Sequence, residues 1–191
     1  MAGRFIVFKG IDGSGKSTAI RGVAQALGDP WCTREETDTP YGALVRQSIA
    51  EKAPPLATAF LFLADRAQHV PEIRAQLEDG DVLCDRFAHS TLAYQSVTLD
   101  GVLEDPTETL RDWHRCLDLW PDHVLLLDLP ADVAVARAQG RGDTTPYEKV
   151  AFLEQVRNAY LALAEVESER FTLIDATQAP EAVVADCLAA L

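Results

Sequence analysis

One short segment near the start of the chain limits its possible folds more than any other feature. Residues 5–18 read FIVFKGIDGSGKST, in which Gly10, Gly15, Lys16 and Ser17 complete the spacing G-x-x-x-x-G-K-[ST] of a phosphate-binding loop. An apolar run precedes the loop, and a run that can form a helix follows it. A strand that leads through glycines into a helix aims backbone N–H groups and the positive helix end at one point. The segment predicts binding of a nucleoside triphosphate; the alternative is a surface turn that matches by chance.

Different residues of this loop suit different parts of a bound triphosphate. Lys16 can reach the β- and γ-phosphates, and the Ser17 hydroxyl can ligate Mg²⁺. Asp12 has two interpretations. A carboxylate in a loop that binds a polyanion is expected to contact Mg²⁺ or a substrate hydroxyl; alternatively, Asp12 forms the turn by capping its own backbone. The residues predicted to bind the ATP phosphates are Gly10, Ile11, Asp12, Gly13, Ser14, Gly15, Lys16, Ser17 and Thr18.

Length and composition limit the kind of protein that carries this loop. A chain of 191 residues suits one domain, here residues 1–191, and a net charge of −13 argues against an extended nucleic-acid surface. No apolar stretch approaches the roughly 20 residues that cross a bilayer, and the apolar run before the loop is too short for a signal peptide. We therefore expect a cytoplasmic protein whose partners are small molecules, without nucleic acid or membrane.

Short apolar runs alternate with longer helical patterns along the whole chain. Such alternation predicts an α/β fold with a parallel sheet and helices on both faces. The predicted strands are 5–8, 31–33, 82–84, 124–127 and 171–174, and the helical patterns are 17–27, 41–51, 56–78, 106–119, 131–139, 147–166 and 180–190. Ligands of such sheets bind at the carboxyl ends of the strands, so the residues directly after each strand are the site candidates.

Polar residues that can bind phosphate and metal follow two of these strands. Arg34, after the second strand, can fork onto a phosphate, although the acidic residues around it offer ion pairs instead. Asp85 ends the third strand beside the loop, as the Mg²⁺-binding aspartate of phosphate-loop enzymes does, and Arg86 follows it. Ser90, Thr91, Tyr94 and Gln95 then supply hydrogen-bonding groups at near-helical spacing.

Two further segments are candidates whose default interpretation is structural. Phe62 and Arg66 are spaced i, i+4 on a mostly apolar helix; they form either core or a base pocket with a stacking ring and a guanidinium at its edge. The turn-rich segment RAQGRGDTTP, 137–146, carries Arg137 and Arg141 between two helices. It has the composition of a lid that closes over a transferring phosphoryl group, and the alternative is an exposed loop with incidental arginines.

Together these segments give the chain a family resemblance over nearly its whole length. The chain resembles thymidylate kinases, the family that converts dTMP to dTDP at the expense of ATP, on the route to dTTP. The resemblance rests on GIDGSGKST, TREETDTPYGALVR, FLFLADRAQHV, VLCDRFAHSTLAYQ, FLEQVRNAYLALAE and FTLIDATQAPEAV. A phosphate loop is shared by many nucleotide kinases, whereas ADRAQHV and DRFAHSTLAYQ are far more selective.

The resemblance implies roles for individual residues around dTMP. Arg34 and Arg86 match arginines that hold the dTMP phosphate, Phe62 the aromatic that stacks on thymine, and Arg66 the arginine at its carbonyl edge. Thr91 matches a polar position facing the base, and Tyr94 one beside the sugar. The implied dTMP site is Asp12, Arg34, Phe62, Arg66, Arg86, Ser90, Thr91, Tyr94 and Gln95.

The resemblance also implies how charge is handled during transfer. Gly13 stands where one subgroup has an arginine, which leaves Arg141, in a lid at about 137–148, as the matching cation. The implied catalytic residues are Asp12, Lys16, Arg86 and Arg141, and the implied metal ligands are Ser17, Asp85 and Glu148. The chain departs from the family where TREP reads TREE and where Thr145-Pro146 replaces an Asp-Arg pair.

We thus expect a thymidylate kinase with a phosphate-loop (P-loop) kinase fold, a central parallel sheet of five strands, and ATP and Mg²⁺ as cofactors. The resemblance further implies the strand order 2-3-1-4-5 and a homodimer packed through helices. The closest rival is a kinase for another deoxynucleoside monophosphate or one of broader specificity. A rival of a different class is a nucleotide-dependent switch, which needs no acceptor site.

Overall fold

The chain folds around one parallel sheet. A computed structural model describes residues 3–139 and 147–191, with the backbone alone for 138, 139, 147 and 148. Its five strands are all parallel and lie in the order β2-β3-β1-β4-β5, which confirms the predicted topology. The strands are β1 (Phe5–Lys9), β2 (Trp31–Arg34), β3 (Val82–Asp85), β4 (His123–Asp128) and β5 (Phe171–Asp175).

The described residues also form eight helices, seven of which the sequence patterns predicted. They are α1 (Lys16–Ala26), α2 (Pro40–Ala50), α3 (Pro55–Asp79), α4 (Ala88–Thr98), α5 (Pro106–Arg115), α6 (Ala131–Gln139), α7 (Tyr147–Val166) and α8 (Pro180–Ala189). Helix α5 ends earlier than the predicted 119, shortly before Asp118, whose φ of 48° is left-handed. Among these helices, none is both long and apolar enough to cross a bilayer.

Helix α4 is the element that the patterns did not predict as a helix. Most of its residues are buried, polar ones included, because α3, α5 and α7 pack around it. A helix covered on nearly all sides has no single apolar stripe, and the stripe is the signal that sequence patterns detect. This helix carries four of the predicted site residues.

Strand β1 holds the two halves of the core together. Ile6 and Phe8 belong to the apolar cluster on one face of the sheet, and Phe5 and Val7 to the cluster on the other. A central parallel strand covered on both faces is expected to be continuously apolar, and this one is fully buried. The register pairs Phe8 with Asp85, so the phosphate-binding loop and the end of β3 emerge at one edge.

Candidate active site

The phosphate-binding loop connects β1 to α1 through glycines in unusual conformations. Gly10, Gly13 and Gly15 have φ values of 140°, 91° and 89°, in the region that L side chains rarely adopt. Helix α1 begins at Lys16, so its first unpaired N–H groups lie at the end of the loop. Such an arrangement binds anions through backbone donors and the helix dipole.

Gly13 is required for a second reason. A Cβ at this position would lie 2.3 Å from the carbonyl oxygen of Ala134 in α6. That distance is far shorter than a van der Waals contact. Because both the loop and α6 would have to move their backbones to relieve it, the clash would cost much free energy. The loop therefore packs directly on α6 and leaves no room for a side chain at position 13.

Lys16 lies over the loop that precedes it. Its Nζ donates hydrogen bonds to the carbonyl oxygens of Gly10, at 3.0 Å, and Ile11, at 3.1 Å. Burial, assisted by the positive charge of Arg86, lowers the pKa of the Lys16 ammonium to about 8. A phosphate beside Nζ would replace the hydration that this ammonium has lost.

A cavity of about 960 Å³ opens over the loop. It is lined by loop residues 12–18, by Gln178 beside β5, and by the cations Arg137 and Lys149. The Arg137 guanidinium donates to the carbonyl oxygens of Ala176, at 2.8 Å, and Thr177, at 3.3 Å. Arg137 therefore joins α6 to the chain that follows β5. We call this space the donor cavity.

Ser17 and Asp85 meet at the edge of the donor cavity. The Ser17 hydroxyl donates to Asp85 Oδ2 at 3.4 Å, and Asp85 Oδ1 is buried without a hydrogen bond to the described residues. Within the described part of the chain, no three His, Cys, Asp or Glu side chains cluster to hold a metal. The pair nevertheless fits Mg²⁺, which takes one or two protein oxygens and completes its shell with water and phosphate oxygens. The Glu148 side chain lies outside the described residues.

A second cavity, of about 530 Å³, lies next to the first. It contains eight of the nine predicted dTMP-binding residues, on α3, on α4 and at the ends of β1 and β3. They are Asp12, Phe62, Arg66, Arg86, Ser90, Thr91, Tyr94 and Gln95. Side chains from separate elements, spread between positions 12 and 95, are thus brought together, and we call this space the acceptor cavity.

A buried ion pair forms the floor of the acceptor cavity. The Arg66 Nη2 donates to Glu35 Oε2 at 2.5 Å and to the Thr91 hydroxyl at 2.9 Å, and its Nε donates to both Glu35 oxygens. Both partners are nearly inaccessible, with side-chain exposures of 2% and 3%. Burial opposes ionisation of Glu35, but Arg66 and His69 outweigh it and lower the pKa of this carboxyl to about 2. Nη1 makes no hydrogen bond to the described residues and can donate to a ligand.

Two polar atoms in the acceptor cavity have no protein partner. The Tyr94 hydroxyl and Gln95 Oε1 are buried, and neither is hydrogen-bonded within the described residues. Buried polar groups are nearly always paired in native proteins, so unpaired ones in a cavity point to a ligand that completes them. The cavity therefore suits a ligand that has hydrogen-bonding groups as well as an apolar ring face.

Arg86 and Asp12 form the wall that the two cavities share. Both residues line both cavities, and Arg86 Nη2 donates to Asp12 Oδ1 at 2.5 Å. The Arg86 guanidinium also lies 5.0 Å from the centre of the Tyr94 ring. Desolvation works against a charged Asp12, but Arg86, Lys16 and Lys149 prevail and lower the pKa of its carboxyl. Groups bound in the two cavities would meet at this wall.

Two of the predicted arginines are not placed in these cavities. Arg34 is largely exposed and its Nη2 donates to Asp38 Oδ1 at 2.7 Å, in a separate groove beside α1 and α3. To reach the acceptor cavity its side chain would have to leave Asp38. Arg141 lies outside the described residues, as does most of the predicted lid, since α6 reaches Gln139 and α7 begins at Tyr147.

Comparison with known proteins agrees with this geometry. A sequence model of the family described as thymidylate kinase matches residues 8–187, which is nearly the whole chain. The chain belongs to the thymidylate kinase family. The match spans both cavities, from the end of β1 to α8, and the predicted resemblance is therefore confirmed.

Curated relatives are similar over nearly their full length. The chain is 41% identical over 190 residues to a probable thymidylate kinase of Methanosarcina acetivorans, covering 96% of this chain and 92% of the relative. It is 43% identical over 184 residues to a probable thymidylate kinase of Natronomonas pharaonis, covering 94% and 92%. A probable thymidylate kinase of Halorubrum lacusprofundi is 41% identical over 186 residues, with 94% and 93% covered.

Three contributors to the site were missed by the sequence analysis. Glu35 looked like one of several surface acids beside Arg34, yet it is 6% exposed and holds Arg66. Phe152, on α7, lines the acceptor cavity with its ring centre 6.1 Å from that of Tyr94. Lys149 lines the donor cavity. Only the position of Phe152 and Lys149 at the start of a helix after the predicted lid could have drawn attention to them.

Proposed function

We propose that this family member transfers the γ-phosphoryl group of ATP to dTMP, giving dTDP and ADP for dTTP synthesis. Family membership supports dTMP phosphorylation, and the observation that carries the proposal is the pair of adjoining cavities with Asp12 and Arg86 as their common wall. A kinase needs a donor phosphate and an acceptor phosphate held end to end. An enzyme that draws on ATP and deoxynucleotide pools is expected in the cytoplasm.

In the donor cavity, backbone N–H groups and cations bind the phosphates of ATP. The N–H groups of the loop bind the β-phosphate, and Lys16 stabilises the charge that spreads over the transferring group. Lys16 is already desolvated and oriented by two carbonyl oxygens, so little reorganisation opposes this role. Gln178 and the chain after β5 receive the adenine.

On the acceptor side, side chains select the base and orient its phosphate. Phe62 stacks on the pyrimidine, and Arg66 Nη1 donates to a base carbonyl while Glu35 and Thr91 hold the guanidinium in place. Arg86 binds the acceptor phosphate, and Asp12 orients Arg86. Holding two reactants in line supplies much of the rate in phosphoryl transfer.

We further propose that Ser17 and Asp85 hold Mg²⁺, with Glu148 as a third ligand. Bound Mg²⁺ would neutralise charge on the β- and γ-phosphates. Addition of a chelator should abolish turnover, and Mg²⁺ should restore it. Asp85→Asn should raise the Mg²⁺ concentration needed for half-maximal rate. If that concentration is unchanged, Asp85 is not a metal ligand.

The lid arginine remains part of the proposal. Because no side chain fits at Gly13, the loop cannot supply the extra cation itself, which supports a role for Arg141. Arg141→Ala should lower kcat with little change in the KM for dTMP, since a lid cation acts mainly in the transition state. An unchanged kcat would transfer the role to Lys149.

A panel of acceptors tests the substrate assignment. ADP release should be measured with dTMP, dUMP, dCMP, AMP and GMP at equal concentration. The highest kcat/KM is expected for dTMP, because a purine is wider than the space between Phe62 and Thr91 is proposed to allow. Equal rates on all five would contradict the assignment and favour a kinase of broad specificity. ATP hydrolysis without any acceptor requirement would favour the nucleotide-dependent switch.

We also propose that two copies associate through α2 and α3. These helices pack on each other and expose the apolar side chains of Tyr41, Leu44, Ile49 and Phe60, each about half accessible. Light scattering should give twice the mass of one chain, and in the Leu44→Glu variant the measured mass should fall to that of one chain. A monomeric parent protein would contradict this assembly.

A further inference from the structure

Lys9 is a buried lysine to which the proposed mechanism gives no role. It ends β1 directly before the phosphate-binding loop and has no accessible surface. Its surroundings hold the charges of Glu35, Arg66 and Arg86 and the thiol of Cys84. A lysine is almost never fully buried without a partner, because its charge loses hydration.

The one hydrogen bond of Lys9 within the described residues leads to the acceptor cavity. Its Nζ donates to Ser90 Oγ at 3.4 Å, and the Tyr160 hydroxyl donates to the same oxygen at 2.9 Å. Burial raises the pKa of Tyr160, so its hydroxyl keeps the proton that it donates. Ser90 itself lines the acceptor cavity together with Arg86 and Tyr94.

Counting donors and acceptors fixes the direction of the Ser90 hydroxyl. A serine hydroxyl has two acceptor lone pairs and one hydrogen. Lys9 and Tyr160 occupy both lone pairs from behind the cavity wall, and no described residue accepts the hydrogen. The hydrogen is therefore left for an acceptor atom in the cavity, and the nucleotide monophosphate carries such atoms on its phosphate and sugar.

We propose that Lys9 and Tyr160 are positioning residues that hold the Ser90 hydroxyl as a hydrogen-bond donor to an oxygen of the bound monophosphate. This inference rests on the proposed function, since it assigns how that function's acceptor is held. Lys9 and Tyr160 act through Ser90 and need not touch the nucleotide.

A double-mutant cycle on dTMP affinity tests the proposal. Dissociation constants for dTMP are measured by calorimetry without ATP for the parent, Ser90→Ala, Tyr160→Phe, Lys9→Met and the two double variants with Ser90→Ala. Each single change should weaken dTMP binding about threefold to tenfold, the range for one net hydrogen bond. Because all three act at one hydroxyl, the doubles should be no weaker than Ser90→Ala alone.

Controls separate positioning from a general structural role. Ser96→Ala, on the same helix, removes a hydroxyl bonded to Ala93 O outside the cavity and should leave dTMP affinity unchanged. Affinity for a non-hydrolysable ATP analogue should also be unchanged in every variant. If Lys9→Met does not fold, Tyr160→Phe, which removes one oxygen atom, carries the test alone.

The outcomes are distinct from those of the proposed function. A parent protein that does not phosphorylate dTMP refutes the function before any variant is compared. If the parent is active, additive effects of Tyr160→Phe and Ser90→Ala, or unchanged affinity in Tyr160→Phe, overturn the positioning role while the function stands.

Discussion

The two cavities would recognise the ligands that we propose for them by different physical means. The donor cavity is built from backbone N–H groups and glycines, with cations around an open space. The acceptor cavity is built from side chains locked to each other, with Arg66 held by Glu35 and Thr91 in nearly complete burial. A phosphate chain is the same in every nucleoside triphosphate, so backbone suffices, whereas telling one base from another requires fixed side-chain donors.

The largest expected effect tests whether the donor cavity acts separately. Lys16→Ala should lower kcat by about 10²–10³, as for loss of one preorganised electrostatic contact in the transition state. The calorimetric affinity for dTMP should stay within about twofold, a change smaller than one net hydrogen bond contributes. Near-normal turnover would mean that Lys16 does not serve the transferring phosphoryl group.

The second prediction makes the corresponding change in the acceptor cavity. Arg66→Ala should raise the KM for dTMP by about 5- to 150-fold, equivalent to 1–3 kcal/mol for an unpaired polar group. It should also lower thermal stability, because Glu35 is left as a buried, unpaired charge. The KM for ATP should barely change. A parallel rise in both KM values would show that the two cavities are not independent.

Steady-state kinetics with variable dTMP and ATP, together with a melting curve, separate these effects. A matched control is Arg115→Ala, an arginine on α5 whose side chain is 66% exposed and pairs, among the described residues, with Asp112 alone. Neither KM value nor the melting temperature should change appreciably, since exposed ion pairs contribute little.

The third prediction uses acid to weaken the acceptor cavity. The pKa of Glu35 is about 2 in the folded protein against an ordinary value of 4.5, so the unfolded chain takes up its proton first as pH falls. The stability from this carboxylate is therefore complete above pH 4.5 and is lost as the pH falls toward 2. Glu35→Gln should be less stable than the parent at pH 7, and the difference should shrink across this interval.

Glu167 provides the matched control for acid. Its pKa is also lowered to about 2, with burial opposed by His89 and Arg111, but it lies outside the acceptor cavity. Glu167→Gln should show the same loss of acid-dependent stability with unchanged dTMP affinity at pH 7, whereas Glu35→Gln should change both. Equal dTMP affinity in the two variants would detach Glu35 from the base site.

The smallest expected effect concerns Arg34, which was predicted to bind the dTMP phosphate but lines neither cavity. Arg34 and Asp38 pair on the surface with 62% and 79% of their side chains exposed, so Arg34→Ala should change stability by less than about 1 kcal/mol. The KM for dTMP should rise less than with Arg86→Ala. An equal rise would show that Arg34 leaves Asp38 and reaches the acceptor phosphate.

The sequence predicted the donor cavity better than the acceptor cavity for a physical reason. The phosphate-binding loop is continuous in sequence, so spacing alone specifies its geometry. The acceptor cavity joins side chains from separate elements, and Glu35 shows the difficulty: its pairing with Arg66 depends on how β2 and α3 pack. Helix α4 was missed because its burial on nearly all sides removes the periodic pattern.

Resemblance to a family supplied what spacing could not. Eight dTMP-site residues carried over from that resemblance do line one cavity, although Phe62 and Arg66 alone would suit a core equally well. Arg34 shows what a resemblance does not predict. The residue type matches the family, but the side chain adopts a rotamer that pairs it with Asp38.

The contact between Gly13 and Ala134 has a consequence for how such kinases can diverge. Any amino-acid substitution at Gly13 places a Cβ against the backbone of α6, so an arginine cannot be added at this position while the helix stays where it is. Moving the cation that we propose for the lid into the loop would need a prior shift of α6, and the intermediate would carry the shift with no catalytic gain. A cation in the loop and a cation in the lid are thus alternatives that single substitutions do not connect. Within this lineage we expect the lid sequence to vary and the glycine to be preserved.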